Sequence, residues 1–422
     1  MRDAPGLVEA MTTRVLAGVA KTLLGLWGAM LLVLPCPAAE RWSPAHVVIV
    51  ILENRSFQQM IGHPEMPYLN SLALEGALMT RAYFAQIPYG VVPEGYSARL
   101  PARPSQPNYL YLFSGHDQGM LPSWFQDPTS PYVGTAINDS AGNRFRSPLQ
   151  AMRVGIGNHL IPASMRPFTT PNLGAALIAS GRSFASFSES LPDPRYDKEG
   201  DPVPDADLYR RKHNPAINWV DFGGHPVAAD QREFVLPVET NLGFTNTTDP
   251  LDGMPYRGFA VDEQGNPIGY DRLPTVSIVV PNEQHDLHSA GERACNAWLE
   301  AHIRPYADWA RDHDSLLIVT FDEDGTTNAS HGEPYLTGID PIVTLFYGPP
   351  DRVVRGRYDE TIDHLNVLAT VLDRYGLLEE FKRDFLRAHG EPEAAKLSAN
   401  LRPIRDVFGE GPKLAPIPES AY

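Results

Sequence analysis

The chain has 422 residues, of which 43% are hydrophobic and 20% are charged. This composition is that of a globular protein long enough for one large core or two smaller ones, and it excludes a mainly disordered chain. The formal net charge of -16, from 35 basic and 51 acidic residues, argues against binding nucleic acid or an anionic membrane through bulk electrostatics. An anionic substrate would therefore need local positive charge, such as a metal ion. No nucleic-acid partner is expected.

The N-terminus has the order of a secretory signal peptide. Arg2, Arg14 and Lys21 precede an apolar run at residues 23–34, and small residues follow at 36–39. This order predicts that residues 1–39 are a signal peptide and that the protein is secreted or periplasmic. The alternative is an uncleaved anchor, but the run is shorter than the ~20 residues that cross a bilayer. We expect no membrane span in the mature chain.

Short apolar runs predict buried strands. Each is apolar at consecutive positions, as a strand covered on both faces requires, and polar or turn residues follow it. The runs are His46–Leu52, Thr275–Val280, Leu316–Phe321 and Pro341–Tyr347. Helical patterns occur at Pro67–Ala77, Asn172–Ser180, Ala294–Asp312 and Asp363–Tyr375. Strands interleaved with helices predict an α/β sheet with helices on both faces.

Two long stretches lack periodicity. Residues 115–167 and 192–273 are rich in proline, glycine, asparagine and aspartate, which predicts long loop insertions at the sheet edge instead of further domains. We therefore expect one catalytic domain at residues 40–400. The tail at residues 401–422 contains four prolines and is expected to be a surface-running extension.

Acidic and amide side chains follow two of the predicted strands. Glu53 and Asn54 come directly after the first strand, and Asp322 and Glu323 come directly after the third. The carboxyl ends of parallel strands share one edge of a sheet, so these groups are expected to converge. Three carboxylates and an amide offer only oxygen ligands, and the carboxylates repel one another unless a cation is present. For either pair alone the alternative is a helix cap or a solvated loop, but two such pairs favour a metal site.

Ser105 precedes a short predicted helix in the segment 103–109. A hydroxyl at a helix start lies where the backbone N–H groups and the helix dipole favour an attached phosphate. We expect this hydroxyl to be exposed. The alternative is an ordinary N-cap serine, and the residues alone do not choose between the two. The chain has no G-x-S-x-G motif of the α/β-hydrolases.

Histidines in polar segments are candidates for ligating a metal, binding phosphoryl oxygens or protonating a leaving group. They are His213, His285, His288 and His331. Asp286 and His288 closely follow a predicted strand. The carboxylate is expected to orient the imidazole and keep it protonated, or to help bind a cation. For any one of these histidines the alternative is an ordinary hydrogen-bonded loop or core residue.

The ordered motifs resemble the phosphoesterase family that includes bacterial phospholipases C and acid phosphatases. The resemblance covers most of residues 45–378 and rests on five blocks: Glu53–Phe57, Pro104–Tyr109, Lys212–Pro215, Pro281–His288 and Phe321–Asp324. It implies an alkaline-phosphatase-like α/β fold with a mostly parallel sheet. It also implies hydrolysis of phosphoric esters through a phosphoserine, assisted by one divalent cation. The all-oxygen ligand set disfavours a structural zinc site and leaves calcium, magnesium, manganese and iron open.

The resemblance also implies roles for individual residues. The metal ligands of the family match Glu53, Asn54, Asp322 and Glu323, and its metal-bound nucleophile matches Ser105. The residues that contact the phosphoryl group match His213 and His288. Further candidate substrate-binding residues are Asn108, His285, Asp286 and His331. Substrate preference stays open because the sequence departs from the family pattern at Gln58, Arg103, His285 and Asp324–Gly325.

The expected activity is that of an acid phosphomonoesterase, because the long C-terminal domain of the larger phospholipase C members does not follow the motifs. A phospholipase C or another phosphodiesterase is the first alternative. The second is a catalytically silent binding protein on the same fold, against which the intact Ser105 and the complete metal set argue. The substrate partner is expected to be a phosphate ester, and the sequence does not predict an oligomeric state.

Overall fold

The computed structural model describes residues 41–84, 105–118, 166–197, 208–224, 226–245, 247–248, 255–325, 340–389 and 393–415. The chain divides into a unit Met1–Trp42 and a unit Ser43–Tyr422, and the second unit contains every element named below. The predicted signal peptide at residues 1–39 and the candidate His331 lie outside the described residues. In the part of the chain that is described, every helix is too short or too polar to cross a membrane.

A mixed sheet forms the centre of the second unit. The strands are β1 (Val47–Leu52), β2 (Ala77–Ala82), β3 (Phe184–Ser188), β4 (Asn241–Gly243), β5 (Thr247–Thr248), β6 (Pro255–Tyr256), β7 (Val276–Val280), β8 (Leu316–Phe321), β9 (Ile342–Tyr347) and β10 (Gly356–Tyr358). The order in the sheet is β10-β2-β9-β8-β1-β7-β3-β4, and β5 pairs with β6 separately. Strand β9 runs antiparallel to β8 and β2, whereas the other neighbouring pairs of the sheet are parallel. The prediction of a mostly parallel α/β sheet is confirmed.

Helices cover this sheet in two groups. The α-helices are α1 (Phe57–Met60), α2 (Pro67–Glu75), α3 (Ser105–Ser114), α4 (Leu173–Ala179), α5 (Glu292–Trp298), α6 (Arg304–Asp312), α7 (His364–Arg374), α8 (Leu378–His389) and α9 (Glu393–Asn400). A π-helical turn at Leu299–Ile303 joins α5 to α6. Shorter 3-10 helices are Arg211–His213, Ala216–Trp219, Ala229–Phe234, Val238–Thr240, Tyr270–Arg272 and Asp406–Phe408. Helices α2, α5 and α6 pack together, and α3, α4, α7, α8 and α9 form the other group.

The apolar strand sequences follow from this layering. All six residues of β1 are buried, so both faces of the strand are covered and neither face needs polar side chains. The same is true of β8 and β9. Polar side chains begin only where each strand ends, at Glu53 after β1 and Asp322 after β8. Both of these strand ends lie at one edge of the sheet.

The C-terminal segment does not run over the surface as the sequence predicts. Leu401, Ile404 and Val407 are fully buried. Thr370 of α7 accepts the backbone N–H of Ile404 at 2.9 Å, and the side-chain amide of Asn366 donates to the carbonyl group of Arg402 at 2.9 Å. Burial of an aliphatic side chain stabilises a fold by roughly 1.5–3 kcal/mol, which outweighs the extended tendency of the prolines. The expectation is therefore wrong for residues 401–408, and residues 416–422 lie outside the described part.

Candidate active site

The predicted metal residues meet at the carboxyl ends of β1 and β8. The two strands pair in parallel with Leu52 beside Phe321, so the residues after them emerge next to each other. The backbone N–H of Asn54 donates to Asp322 Oδ1 at 2.9 Å, and the backbone N–H of Glu323 donates to the same oxygen at 2.6 Å. Glu53, Asp322 and Glu323 are all buried. The structure thus brings together the two pairs that the sequence singled out.

The close approach of the two strand ends depends on Gly325. Its φ is +65°, and a Cβ atom at this position would lie 1.9 Å from the carbonyl oxygen of Asn54. Any other residue would therefore push the loop after β8 away from the loop after β1. Asn54 has a φ of 43°, in the left-handed region that asparagine tolerates better than most residues. Its side-chain amide donates to Glu53 Oε2 at 3.2 Å.

Helix α3 presents two hydroxyl groups to Glu53. Ser105 is the first residue of the helix and Tyr109 lies four residues later, so both side chains share one face. Ser105 Oγ donates to Glu53 Oε2 at 3.0 Å, and the Tyr109 hydroxyl donates to Glu53 Oε1. Ser105 is only 3% exposed, so the expectation of an exposed hydroxyl is wrong, and the serine faces a buried cluster. Asn108 is buried on the same helix.

His213 and Asp286 lie on the other side of Glu53. His213 Nε2 is 3.4 Å from Glu53 Oε1, and His213 Nδ1 is 3.7 Å from Asp286 Oδ2. The imidazole stacks on the ring of Tyr109, with centroids 5.3 Å apart and planes at 10°. Glu53, His213 and Asp286 each offer a ligand atom within 4.8 Å of the other two. This metal-binding set shares only Glu53 with the set predicted from the sequence, and it adds an imidazole nitrogen.

Three buried carboxylates at one point make the site unfavourable for negative charge. Burial, followed by the neighbouring Asp322 and Asp286, raises the pKa of Glu53 well above its usual value. Burial likewise raises the pKa of Asp286 to about 8 and that of Asp322 to about 6. Lys212 opposes the rise at Glu53 and Asp286. Without a cation the cluster therefore retains protons near neutral pH.

Several buried oxygens of the cluster make no hydrogen bond. Among the described residues, Asn54 Oδ1, Asp286 Oδ2 and Asp322 Oδ2 have no hydrogen-bond partner. A buried polar group left without a partner costs about 1–3 kcal/mol, so three such atoms on residues of this cluster favour a ligand there. Carboxylate and amide oxygens are the ligands that hard divalent cations prefer, and a cation would displace the bound protons. The residues present thus fit the expected metal ion.

His288 has a different carboxylate partner from the one predicted. Asp286 Oδ1 accepts the backbone N–H of His288 at 2.7 Å, so this carboxylate holds the loop and not the imidazole. His288 Nδ1 lies 3.5 Å from Glu283 Oε2. Burial lowers the pKa of His288; Glu283 opposes this shift, and Lys212 and Arg210 reinforce it. The expectation that Asp286 keeps this imidazole protonated is wrong, because burial and nearby cations outweigh one carboxylate.

Of the two remaining histidine candidates, His285 is described and does not belong to the cluster of Glu53, His213 and Asp286. His285 Nδ1 lies 2.9 Å from Glu189 Oε2, and its ring stacks on Trp298 with centroids 6.3 Å apart. These two contacts fix the position of the imidazole. His331 lies outside the described residues.

Three residues at the site received no role from the sequence: Tyr109, Lys212 and Glu283. Tyr109 could have been found from its spacing, because four residues after Ser105 on a helix is the same face. Lys212 is adjacent to the predicted His213. Glu283 left no local signal, since its main partner Arg210 is 73 residues away in the sequence.

Comparison with known proteins identifies the family. The sequence model of the phosphoesterase family matches residues 253–378 of this chain. The chain is 31% identical over 396 residues to a phosphatidylinositol-3-phosphatase of Mycobacterium tuberculosis (strain ATCC 25618 / H37Rv), with 94% of this chain and 93% of the relative covered.

Solved structures are more distant. A protein in the alkaline phosphatase superfamily from Vibrio parahaemolyticus is 12% identical with a TM-score of 0.39, covering 80% of this chain and 67% of that one. The PsFucS1 sulfatase from Pseudoalteromonas sp. is 10% identical with a TM-score of 0.39, covering 85% and 72%. These structural similarities are too low to bear on the site. The long match to the mycobacterial relative confirms the resemblance seen in the motifs, and the chain belongs to the phosphoesterase family of phosphoric ester hydrolases.

Proposed function

We propose that the protein is a metal-dependent acid phosphomonoesterase with Ser105 as its nucleophile. The observation that carries the proposal is the 3.0 Å hydrogen bond from Ser105 Oγ to Glu53 Oε2, inside a buried cluster of carboxylates with unpartnered oxygens. Ser105 Oγ attacks phosphorus and the ester oxygen departs, which leaves a phosphoserine. Water then attacks the same phosphorus, releases inorganic phosphate and regenerates the serine.

The chain's own groups prepare this attack. Glu53, Asn54, Asp322 and Glu323 would hold the cation, with Asp286 and His213 available on the far side of Glu53. When bound, a divalent cation supplies Lewis acidity that lowers the pKa of the serine hydroxyl and offsets phosphoryl charge. Glu53 Oε2 orients the serine by accepting a hydrogen bond from its hydroxyl group. Ser105 is also the first residue of α3, where the helix start favours an attached phosphate.

The two site histidines have different surroundings, which supports different roles for them. His213 is fully enclosed between Glu53 and Asp286, and burial holds its pKa well below the usual value. The His288 side chain is 36% exposed, with its ring 6.0 Å from that of His213. A leaving group that points toward solvent would therefore meet His288. Burial lowers the pKa of His288, so a larger fraction of its imidazole is protonated at acidic than at neutral pH, which supports an acid-acting enzyme.

The named relative supports the substrate class. It is called a phosphatidylinositol-3-phosphatase, and a phosphate carried by a single ester bond is the substrate that this name describes. Phosphatidylinositol 3-phosphate is therefore the first lipid to test beside a soluble aryl phosphate. We also propose that the enzyme works outside the cytoplasm, on the strength of the signal-like residues 1–39, and cell fractionation tests this location.

Substitution of Ser105→Ala tests the proposed nucleophile. Turnover of p-nitrophenyl phosphate at acidic pH should fall by several orders of magnitude, while thermal melting changes little. Ser114→Ala is the matched control, because Ser114 is a buried serine at the other end of α3 whose hydroxyl donates to Leu110 O at 2.9 Å. Activity of Ser105→Ala within a few-fold of wild type would remove the serine from this role. Faster hydrolysis of phosphatidylcholine than of either monoester would replace the monoesterase by a phospholipase C.

A further inference from the structure

Tyr109 contacts two groups of the site, Glu53 and His213. Its side chain is buried, with 1% exposed. Its hydroxyl donates to Glu53 Oε1, while Ser105 donates to the other oxygen of the same carboxylate at 3.0 Å. One face of α3 therefore holds both oxygens of Glu53.

A carboxylate held at both oxygens cannot rotate about its terminal bond without losing hydrogen bonds. The terminal torsion of glutamate is otherwise broad, and the strand end fixes only the backbone of Glu53. The Tyr109 hydroxyl therefore decides which oxygen faces Ser105 and which faces His213. Outer hydrogen-bond partners of this kind orient metal ligands and tune their basicity.

The ring of Tyr109 contacts a second group of the site, His213. It stacks on the imidazole of His213 with centroids 5.3 Å apart and planes at 10°. This stack leaves His213 Nε2 at 3.4 Å from Glu53 Oε1, the same oxygen that the tyrosine hydroxyl binds. One side chain thus sets the spacing between a carboxylate and an imidazole that both belong to the metal-binding set.

We propose that Tyr109 is the positioning residue of the cation site, with its hydroxyl orienting Glu53 and its ring orienting His213. The inference rests on the proposed function, because it assumes that Glu53 ligates a cation. Two substitutions separate the roles of the hydroxyl and the ring. Tyr109→Phe removes the hydroxyl and keeps the ring, whereas Tyr109→Leu removes both.

Calorimetric titration of the metal-free full chain with Mn²⁺ tests the inference. Tyr109→Phe should weaken Mn²⁺ affinity about 10- to 100-fold, as loss of an outer partner of a ligand does, and Tyr109→Leu should weaken it further. For p-nitrophenyl phosphate, kcat should fall at limiting Mn²⁺ with KM unchanged. Tyr111→Phe is the matched control, because Tyr111 is a buried tyrosine of the same helix whose hydroxyl donates to Asp117 Oδ2 at 3.2 Å. Its Mn²⁺ affinity should stay within about twofold of wild type, because Asp117, the described partner of the hydroxyl it loses, is not part of the metal-binding set.

Repeating the titration in a Ser105→Ala background separates this inference from the proposed nucleophile, since binding needs no turnover. An active Ser105→Ala variant would overturn the proposed mechanism and leave the affinity ratio intact. Unchanged or tighter Mn²⁺ binding by Tyr109→Phe would overturn the positioning role. An equal loss of Mn²⁺ affinity in Tyr111→Phe would also overturn the positioning role, because any loss of a buried tyrosine hydroxyl from α3 would then weaken binding. Failure of the wild-type chain to bind Mn²⁺ would overturn it as well.

Discussion

Replacing Asp286 by asparagine is expected to stabilise the metal-free protein and to weaken cation binding. In the structure Asp286 Oδ1 accepts the backbone N–H of His288 at 2.7 Å. Asparagine keeps an Oδ1 atom, so it can still accept this hydrogen bond. What it removes is a buried carboxyl group whose pKa burial raises to about 8. A purely structural aspartate would give the opposite result, since its loss would only weaken the fold.

The size of the effect follows from proton linkage. An unfolded aspartate has a pKa of ~3.9, and one pKa unit corresponds to about 1.4 kcal/mol. At pH 7 the folded carboxyl still holds the proton that the unfolded one has released, which destabilises the metal-free protein by on the order of 4 kcal/mol. The pKa of Asp286 is higher in the folded protein than in the unfolded chain. The contribution of Asp286 to the stability of the metal-free fold is therefore fully present below about pH 4 and is lost as pH rises from 4 to 8. Asparagine does not titrate, so its advantage should grow across this window.

Urea unfolding with a chelator at pH 7 and at pH 4.5 measures this difference. Asp286→Asn should be more stable than wild type at pH 7, and the gap should narrow at pH 4.5. Added Mn²⁺ should stabilise the wild type more than the variant. The control is Asp351→Asn, since the Asp351 side chain is 76% exposed and a surface change of this kind stays within about 0.5 kcal/mol. A metal-free Asp286→Asn variant that is less stable than wild type at pH 7 would refute the reasoning.

Other predictions concern the same cluster. Asp322→Asn and Glu53→Gln should each weaken cation binding, with activity partly restored by excess cation; full stoichiometry at unchanged affinity in calorimetry would make both carboxylates structural. His288→Ala should slow an alkyl phosphate far more than a nitrophenyl phosphate, because a poor leaving group depends most on a proton donor. An equal loss of kcat/KM on both substrates would pass that role to His213. Since the carboxylates of the metal-free site hold protons, Mn²⁺ binding should release protons and tighten as pH rises toward 8, and calorimetry in buffers of different ionisation enthalpy detects this release.

Much of the architecture could be predicted from local patterns. A strand buried on both faces needs consecutive apolar residues, and β1 and β8 have them. Parallel neighbours then carry their carboxyl ends to one edge, which is why Asn54 and Asp322 meet although 268 residues separate them. The direction of each strand in the sheet could not be predicted in this way. A buried apolar run such as β9 has the same sequence pattern whether the strand is parallel or antiparallel to its neighbour.

The sequence by itself determined the α/β class, the strand ends that carry Glu53 and Asp322, and the resemblance that marks Ser105. Only the tertiary structure decided which side chains complete the site. Tyr109 reaches Glu53 because α3 docks against the end of β1, and Glu283 reaches His288 because Arg210 anchors it from another segment. Residues 401–408 are buried because α7 offers them an apolar surface and polar partners. The contacts of Tyr109 with Glu53, of Arg210 with Glu283 and of Ile404 with Thr370 join segments far apart in the chain, so local patterns do not reveal these partners. The packing that creates these contacts also sets the burial that shifts each pKa.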